Sequence, residues 1–197
     1  MTYIDFHTHH IPAGRDVVAV VDGRDTWGLH PWRASAELVV PDLSTVIAIG
    51  ECGLDALQGP SLERQEEVFL RQISLSEDIG KPLIIHCVKA LDRLLSLRKD
   101  LKPKQPWMFH GFRGKPQQLQ SLLDAGFYVS FGFHHNEESL RACPTDRLLL
   151  ETDDNTEHSI AELYNNVARE RGIEVSVLCQ IMAENYLTFF RKEPFPV

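Results

Sequence analysis

No stretch of this chain approaches the ~18 consecutive apolar residues that a membrane-spanning helix needs, so no membrane partner is expected. Basic residues are scarce: 20 lysines and arginines face 28 acids, a net charge of −8. That balance excludes a broad basic face for gripping nucleic acid, although a local metal site would still attract phosphate. Cysteine is sparse as well. Cys52, Cys87, Cys143 and Cys179 form no CxxC pair, which suits a reduced, cytoplasmic chain rather than a disulfide framework. No basic segment followed by an apolar run opens the chain, so no signal peptide is expected. No Gly/Ser linker or low-complexity tract divides it either, and residues 1–197 read as one domain. A chain of this length hides roughly 70% of its unfolded surface. Its 43% hydrophobic and 24% charged residues are those of an ordinary soluble globular protein.

What is present is a repeating cadence. Short apolar runs at 46–50 (VIAIG), 82–86 (PLIIH), 107–110 (WMFH), 128–131 (YVSF) and 147–151 (RLLLE) are too short for helices and are bounded by turn residues or charges. They read as strands buried on both faces. Helical segments lie between them. Ser61 caps one that Gly80 and Pro82 end, Leu91, Leu94, Leu95 and Leu101 mark a second, and Pro116 opens a third that stops at Gly126. Asn136 caps a short one before Pro144, and helices over 158–171 and 176–190 break at Gly172. Repeated βα units of this kind imply an α/β fold with a parallel sheet, of the TIM-type (β/α) barrel. The first 45 residues are less regular. DVVAVVD (16–22) and WGLH (27–30) read as two more strands, joined by links shorter than the dozen residues a parallel crossover usually needs. The barrel is therefore expected to be abbreviated at its N-terminal end, with a strand there antiparallel or outside it.

The strand ends carry the chemistry. Reading the last residue of each strand, or the first beyond it, yields His7 and His9, His30, Glu51, His86, His110 and Asp153. In a (β/α) barrel these ends open on one face, where active sites are built. His7 and His9 stand two apart and point to the same side. Mixed nitrogen and carboxylate donors suit divalent ions such as Zn²⁺, Mn²⁺ or Mg²⁺. A glutamate between two histidine groups can bridge two ions that activate water and clamp a phosphoester, and a one-ion, three-histidine site remains open. Asp153 can hold a metal and orient or deprotonate the attacking water. Arg113 and Lys89 are candidates to bind substrate phosphate. Glu151 is placed to orient a histidine and Asp55 to brace a loop. Trp27, Trp32 and Trp107 read as wall packing, with Trp32 alone lying where it could instead stack on a substrate. His10 and His158 read as structural, and His134 and His135 as a solvated loop on the same rim, where contact with substrate stays open.

In order, DFHTHH, GLHPW, AIGECGLD, LIIHCVKA, FHGFRG and RLLLETDD resemble the successive motifs of the TatD-like metal-dependent hydrolases, within the wider amidohydrolase-type barrels. The resemblance implies a TIM barrel, one or two divalent metal ions and metal-dependent hydrolysis, with deoxyribonuclease activity known for some members. It implies that His7, His9 and Asp153 hold one ion, that Glu51 bridges, that His86 and His110 hold the second, and that His30 faces the substrate phosphate. The chain departs from the pattern in four places. It is short between its first two motifs, it has Val88 and then Lys89 where an arginine is usual, it lacks the loop that usually follows the aspartate, and it carries Arg113 where a small polar residue is common. These departures trim the loops that would cover a nucleic acid. The expected substrate is a phosphoester or other small molecule, with nucleic acid among those admitted. Hydrolysis of a small-molecule amide or ester, or a metal-binding barrel with reduced catalysis, remains open beside it.

Overall fold

The computed structural model describes residues 1–12 and 14–191. The strands are β1 (Tyr3–Thr8), β2 (Val17–Val21), β3 (Thr26–Trp27), β4 (Ala48–Asp55), β5 (Leu83–Val88), β6 (Trp107–Phe109), β7 (Tyr128–Phe131) and β8 (Leu148–Leu150). The helices are α1 (Leu62–Ile79), α2 (Leu91–Leu101), α3 (Pro116–Asp124), α4 (Glu137–Ala142), α5 (Ile160–Arg171) and α6 (Val175–Phe190). From β4 onward each strand is followed by a helix, and every strand pair is parallel. Strands β3 to β8 form one sheet in sequence order and β1–β2 a second. A parallel bridge between Thr8 and Asp153 joins them, with His9 N donating to Asp153 O and Asp153 N to His7 O, both at 3.0 Å. Among the described residues no ladder links β2 to β3, so the TIM-type ring of strands stays open at that seam. No helix among them is long and apolar enough to cross a membrane.

The helices begin and stop where local chemistry dictates. Ser61 Oγ accepts from Arg64 N ahead of α1, and Gly80 at φ 68° closes that helix in the left-handed conformation that glycine adopts without steric cost. Ser159 and Glu162 form a reciprocal capping box at α5. In β1 the side chains alternate. Phe6 stacks on Phe190 and meets Tyr186 of α6, while Asp5 and His7 face the other way.

Three expectations are corrected. β2 runs parallel to β1, neither antiparallel nor apart from it. Only residues 9–16 lie between the two strands, but an extended chain of that length reaches about 26 Å, enough to return along a five-residue strand without a helix. The strand expected over 27–30 is only Thr26–Trp27. Beyond it the Gln72 side chain of α1 takes the place of a neighbouring strand, accepting from Leu29 N at 2.7 Å and donating to Leu29 O at 3.1 Å, before a 3₁₀ turn at Pro31–Arg33. β4 runs on to Asp55, so Glu51 stands within the strand rather than at its end. Gly53, at φ 136°, allows this: any Cβ there would run into the carbonyl oxygen of His86 on β5.

Candidate metal centre

Five histidines, carried by the ends of three strands (β1, β5 and β6) and one turn, surround the single carboxylate of Glu51, and its two oxygens divide them. Glu51 Oε2 lies 3.5 Å from His7 Nε2 and 3.6 Å from His9 Nε2. Glu51 Oε1 lies 2.8 Å from His110 Nε2, 2.9 Å from His86 Nδ1 and 3.2 Å from His30 Nε2. Asp153 completes the first group, its Oδ1 3.6 Å from His7 Nε2 and 3.5 Å from His9 Nε2. The isolated bridge from Thr8 to Asp153, three residues past β8, puts it there, at φ 56°.

The first group fits a metal ion on two counts. A tetrahedron with ligands about 2.0–2.2 Å from its centre has edges of about 3.3–3.6 Å. The four distances among His7, His9, Glu51 and Asp153, 3.5–3.6 Å, match those edges. His7 is also fully buried, yet neither ring nitrogen has a hydrogen-bond partner. A buried polar atom left so costs about 1–3 kcal/mol, which a cation on Nε2 would offset. The second group is drawn tighter around Glu51 Oε1, with His86 Nδ1 and His110 Nε2 3.5 Å apart.

Carboxylates behind the histidines orient the rings, as metal-ligating imidazoles commonly require. Asp22 Oδ2 stands 3.8 Å from His9 Nδ1. Asp55 Oδ2 stands 3.0 Å from His86 Nε2, and Glu151 Oε1 3.2 Å from His110 Nδ1. Buried Asp5 accepts from Thr152 N at 3.0 Å and from Thr152 Oγ1 at 2.6 Å, fixing the residue next to Asp153. Burial pushes the Asp5 carboxyl up to about 7 against these hydrogen bonds. Burial also opposes ionisation of Glu51, but the charge of His110 and hydrogen bonds from His110 and His30 outweigh it, holding its carboxyl well below the usual range. Asp153 is likewise held low, its burial outweighed by the hydrogen bond with His9 and the nearby His110 and His7. Hydrogen bonds to Asp153 and Glu51 push His9 up to about 10.

The sequence-derived residues thus sort clearly. His7, His9, His30, Glu51, His86, His110 and Asp153 converge. His30 comes closer in than a purely substrate-facing residue would, within hydrogen-bond range of Glu51. Arg113 is exposed and lines a cleft of about 40 Å³ with Gly111, His134, Glu151, Asp153 and Asp154. Exposed Lys89 is not among the residues lining that cleft. His135 is engaged elsewhere, with Gly132 O at 2.7 Å and Glu170 at 3.0 Å. Asp55 braces its loop as expected, accepting from Leu57 N and Gln58 N, but it also holds His86. Asp5 and Asp22 went unnoticed in the sequence. Asp5 stands two residues before His7 on the same face, and Asp22 is the first residue after β2, the very kind of position that marked the others.

Comparison with known proteins places the chain in a family. The family model for TatD related DNase matches residues 18–191. The Escherichia coli protein YcfH, named an uncharacterized metal-dependent hydrolase, is 30% identical over 83% of this chain and 72% of its own. A Klebsiella pneumoniae protein named 3′-5′ ssDNA/RNA exonuclease TatD is 36% identical over 65% of this chain and 56% of its own. The crystal structure of the TatD homologue YjjV from Escherichia coli superposes with a TM-score of 0.75 at 22% identity, covering 91% of this chain and 79% of that one, a likeness of fold. The chain belongs to the TatD-related DNase family of metal-dependent hydrolases.

Proposed function

We propose that this protein is a phosphodiesterase acting on short or single-stranded nucleic acid through one or two divalent ions. His7, His9, Asp153 and Glu51 would hold the first ion, and Glu51, His86 and His110 the second. The observation that carries the reading is the division of the five histidines between the two oxygens of Glu51. The exonuclease name carried by 33–36% identical relatives supports the choice of ester. Donors of mixed nitrogen and oxygen type suit Zn²⁺ or Mn²⁺, with Mg²⁺ also admitted. When bound, such ions supply Lewis-acid polarisation of the ester and acidify water.

The chain's own groups supply the remainder. Asp153 is ionised and beside a cleft of about 40 Å³, room for a water, whose share of liquid is about 30 Å³. It orients that water and accepts its proton as the water attacks phosphorus and the P–O bond to the leaving alcohol breaks, the departing oxygen taking its proton from solvent. Asp5, through Thr152, keeps the carboxylate from swinging away. Arg113, on the same cleft, holds a non-bridging phosphate oxygen. His30, with Nδ1 accepting from Trp32 N at 3.2 Å, presents Nε2 to the centre, where it can face the phosphate.

A panel tests the reading: metal-loaded protein with thymidine dinucleotide, a single-stranded oligonucleotide, an acyl ester and an acyl amide. Phosphodiester cleavage is expected. Turnover of the amide or carboxylic ester without any phosphodiester cleavage would overturn it.

A further inference from the structure

Beside the histidine–carboxylate cluster stands a large aromatic side chain left half in solvent. Trp32 is 47% exposed. Its ring centroid is 4.6 Å from that of His30 and 5.8 Å from that of His86, both steeply inclined to it. It is also held in place. The indole Nε1 donates to Asp55 Oδ2 at 2.6 Å, and the backbone N donates to His30 Nδ1 at 3.2 Å. The loop after β4 packs against its backbone so closely that a Cβ on Gly59, at φ 88°, would come within 2.9 Å of Trp32 Cα. A tryptophan fixed at three points and left open to solvent at the mouth of a polar site is preorganised for a flat ligand. Little rotamer freedom remains to be lost on binding.

We propose that Trp32 is a stacking platform for one nucleobase of the substrate, and that it sets a preference for nucleotide esters over base-free phosphoesters. The inference rests on the phosphoesterase reading of the same site. Charge points the same way. At a net −8 the chain has little long-range pull on a polyanion. Arg113 lines the cleft on the Asp153 side of the cluster and Trp32 touches its His30–His86 side. One phosphate contact and one base contact would then flank the scissile bond. Stacking tolerates every base, because each has a π-face, so the preference is for a base rather than for a sequence.

The test compares thymidine dinucleotide with its two singly abasic analogues, using metal-loaded wild type, Trp32→Ala and Trp32→Phe. Loss of one stacked base corresponds to about 5- to 150-fold in binding. In the wild type, one of the two abasic analogues should lose kcat/KM by that factor, mostly through KM. The penalty should vanish in Trp32→Ala and largely persist in Trp32→Phe, which stacks but cannot donate to Asp55. Equal penalties in wild type and Trp32→Ala would overturn the proposal. So would a Trp32→Phe variant that falls as far as Trp32→Ala on every substrate, since that marks a residue that only positions Asp55 and His86. If wild type cleaves no phosphodiester at all, the phosphoesterase reading falls by itself. The platform is then decided by binding, as the difference in fluorescence quenching between wild type and Trp32→Phe. Quenching by thymidine 5′-monophosphate but not by deoxyribose 5-phosphate sustains it, and equal or absent quenching overturns it.

Discussion

His7 offers the sharpest test of the metal centre, because metal-free and metal-bound protein should respond to its loss in opposite directions. The ring is fully buried with both nitrogens unpartnered, 3.5 Å from Glu51 Oε2 and 3.6 Å from Asp153 Oδ1. Each unpaired nitrogen costs the metal-free fold about 1–3 kcal/mol. His7→Leu, close in volume, removes both, so chelator-treated variant should be at least as stable as chelator-treated wild type. Metal should reverse the order. At a free ion concentration 100 times Kd, binding to the folded state alone adds about 2.7 kcal/mol. At about 2–4 °C per kcal/mol for a chain of this size, Tm should rise by about 5–11 °C in the wild type. In His7→Leu the first ion loses one of its four proposed ligands and most of that rise should disappear. Differential scanning fluorimetry during Zn²⁺ or Mn²⁺ titration reads both effects. A variant whose Tm rises as far as the wild type's would refute the reasoning, as would a wild type with no rise at saturating metal.

Asp153→Asn should lower kcat by about 100-fold or more, as loss of a general base does, while metal-free Tm stays near wild type. A near wild-type rate at unchanged metal content would remove Asp153 from the chemistry. Arg113→Ala should raise KM for a phosphodiester more than it lowers kcat, the signature of lost ground-state binding. A fall confined to kcat would contradict the phosphate-holding role. The short N-terminal units and the missing loop after Asp154 leave few walls for a long duplex. The kcat/KM for a dinucleotide should therefore exceed that for a duplex of about 30 base pairs at matched salt, and the reverse order would sink that account.

The ligand-type residues were legible because a strand end is marked in sequence by the close of a short apolar run. That rule led to His7, His9, His30, Glu51, His86, His110 and Asp153 without a structure. By the same rule Asp22, first after β2, belongs with them, whereas Asp5 lies in mid-strand on the same face as His7, where no strand end marks it. Asp55 was recognised as a loop brace. Its contact with His86 was not, because that contact depends on how β4 lies against β5. The direction of β2 differs because the usual crossover length assumes a helix, and the described residues of this link contain none.

By itself, the sequence determined the period of the elements, the end of the barrel on which the donors gather and their chemical types. These properties follow from local polarity and from side-chain alternation along each strand. Only the tertiary structure decided how the donors are shared. The bulge in β4–β5 pairing between Ile49 and Cys52, the close approach at Gly53, and the single bridge from Thr8 to Asp153 set which histidines meet which oxygen of Glu51. Those distances are fixed by register and by the meeting of chain segments up to 146 residues apart, His7 and Asp153 among them, and no local pattern encodes them.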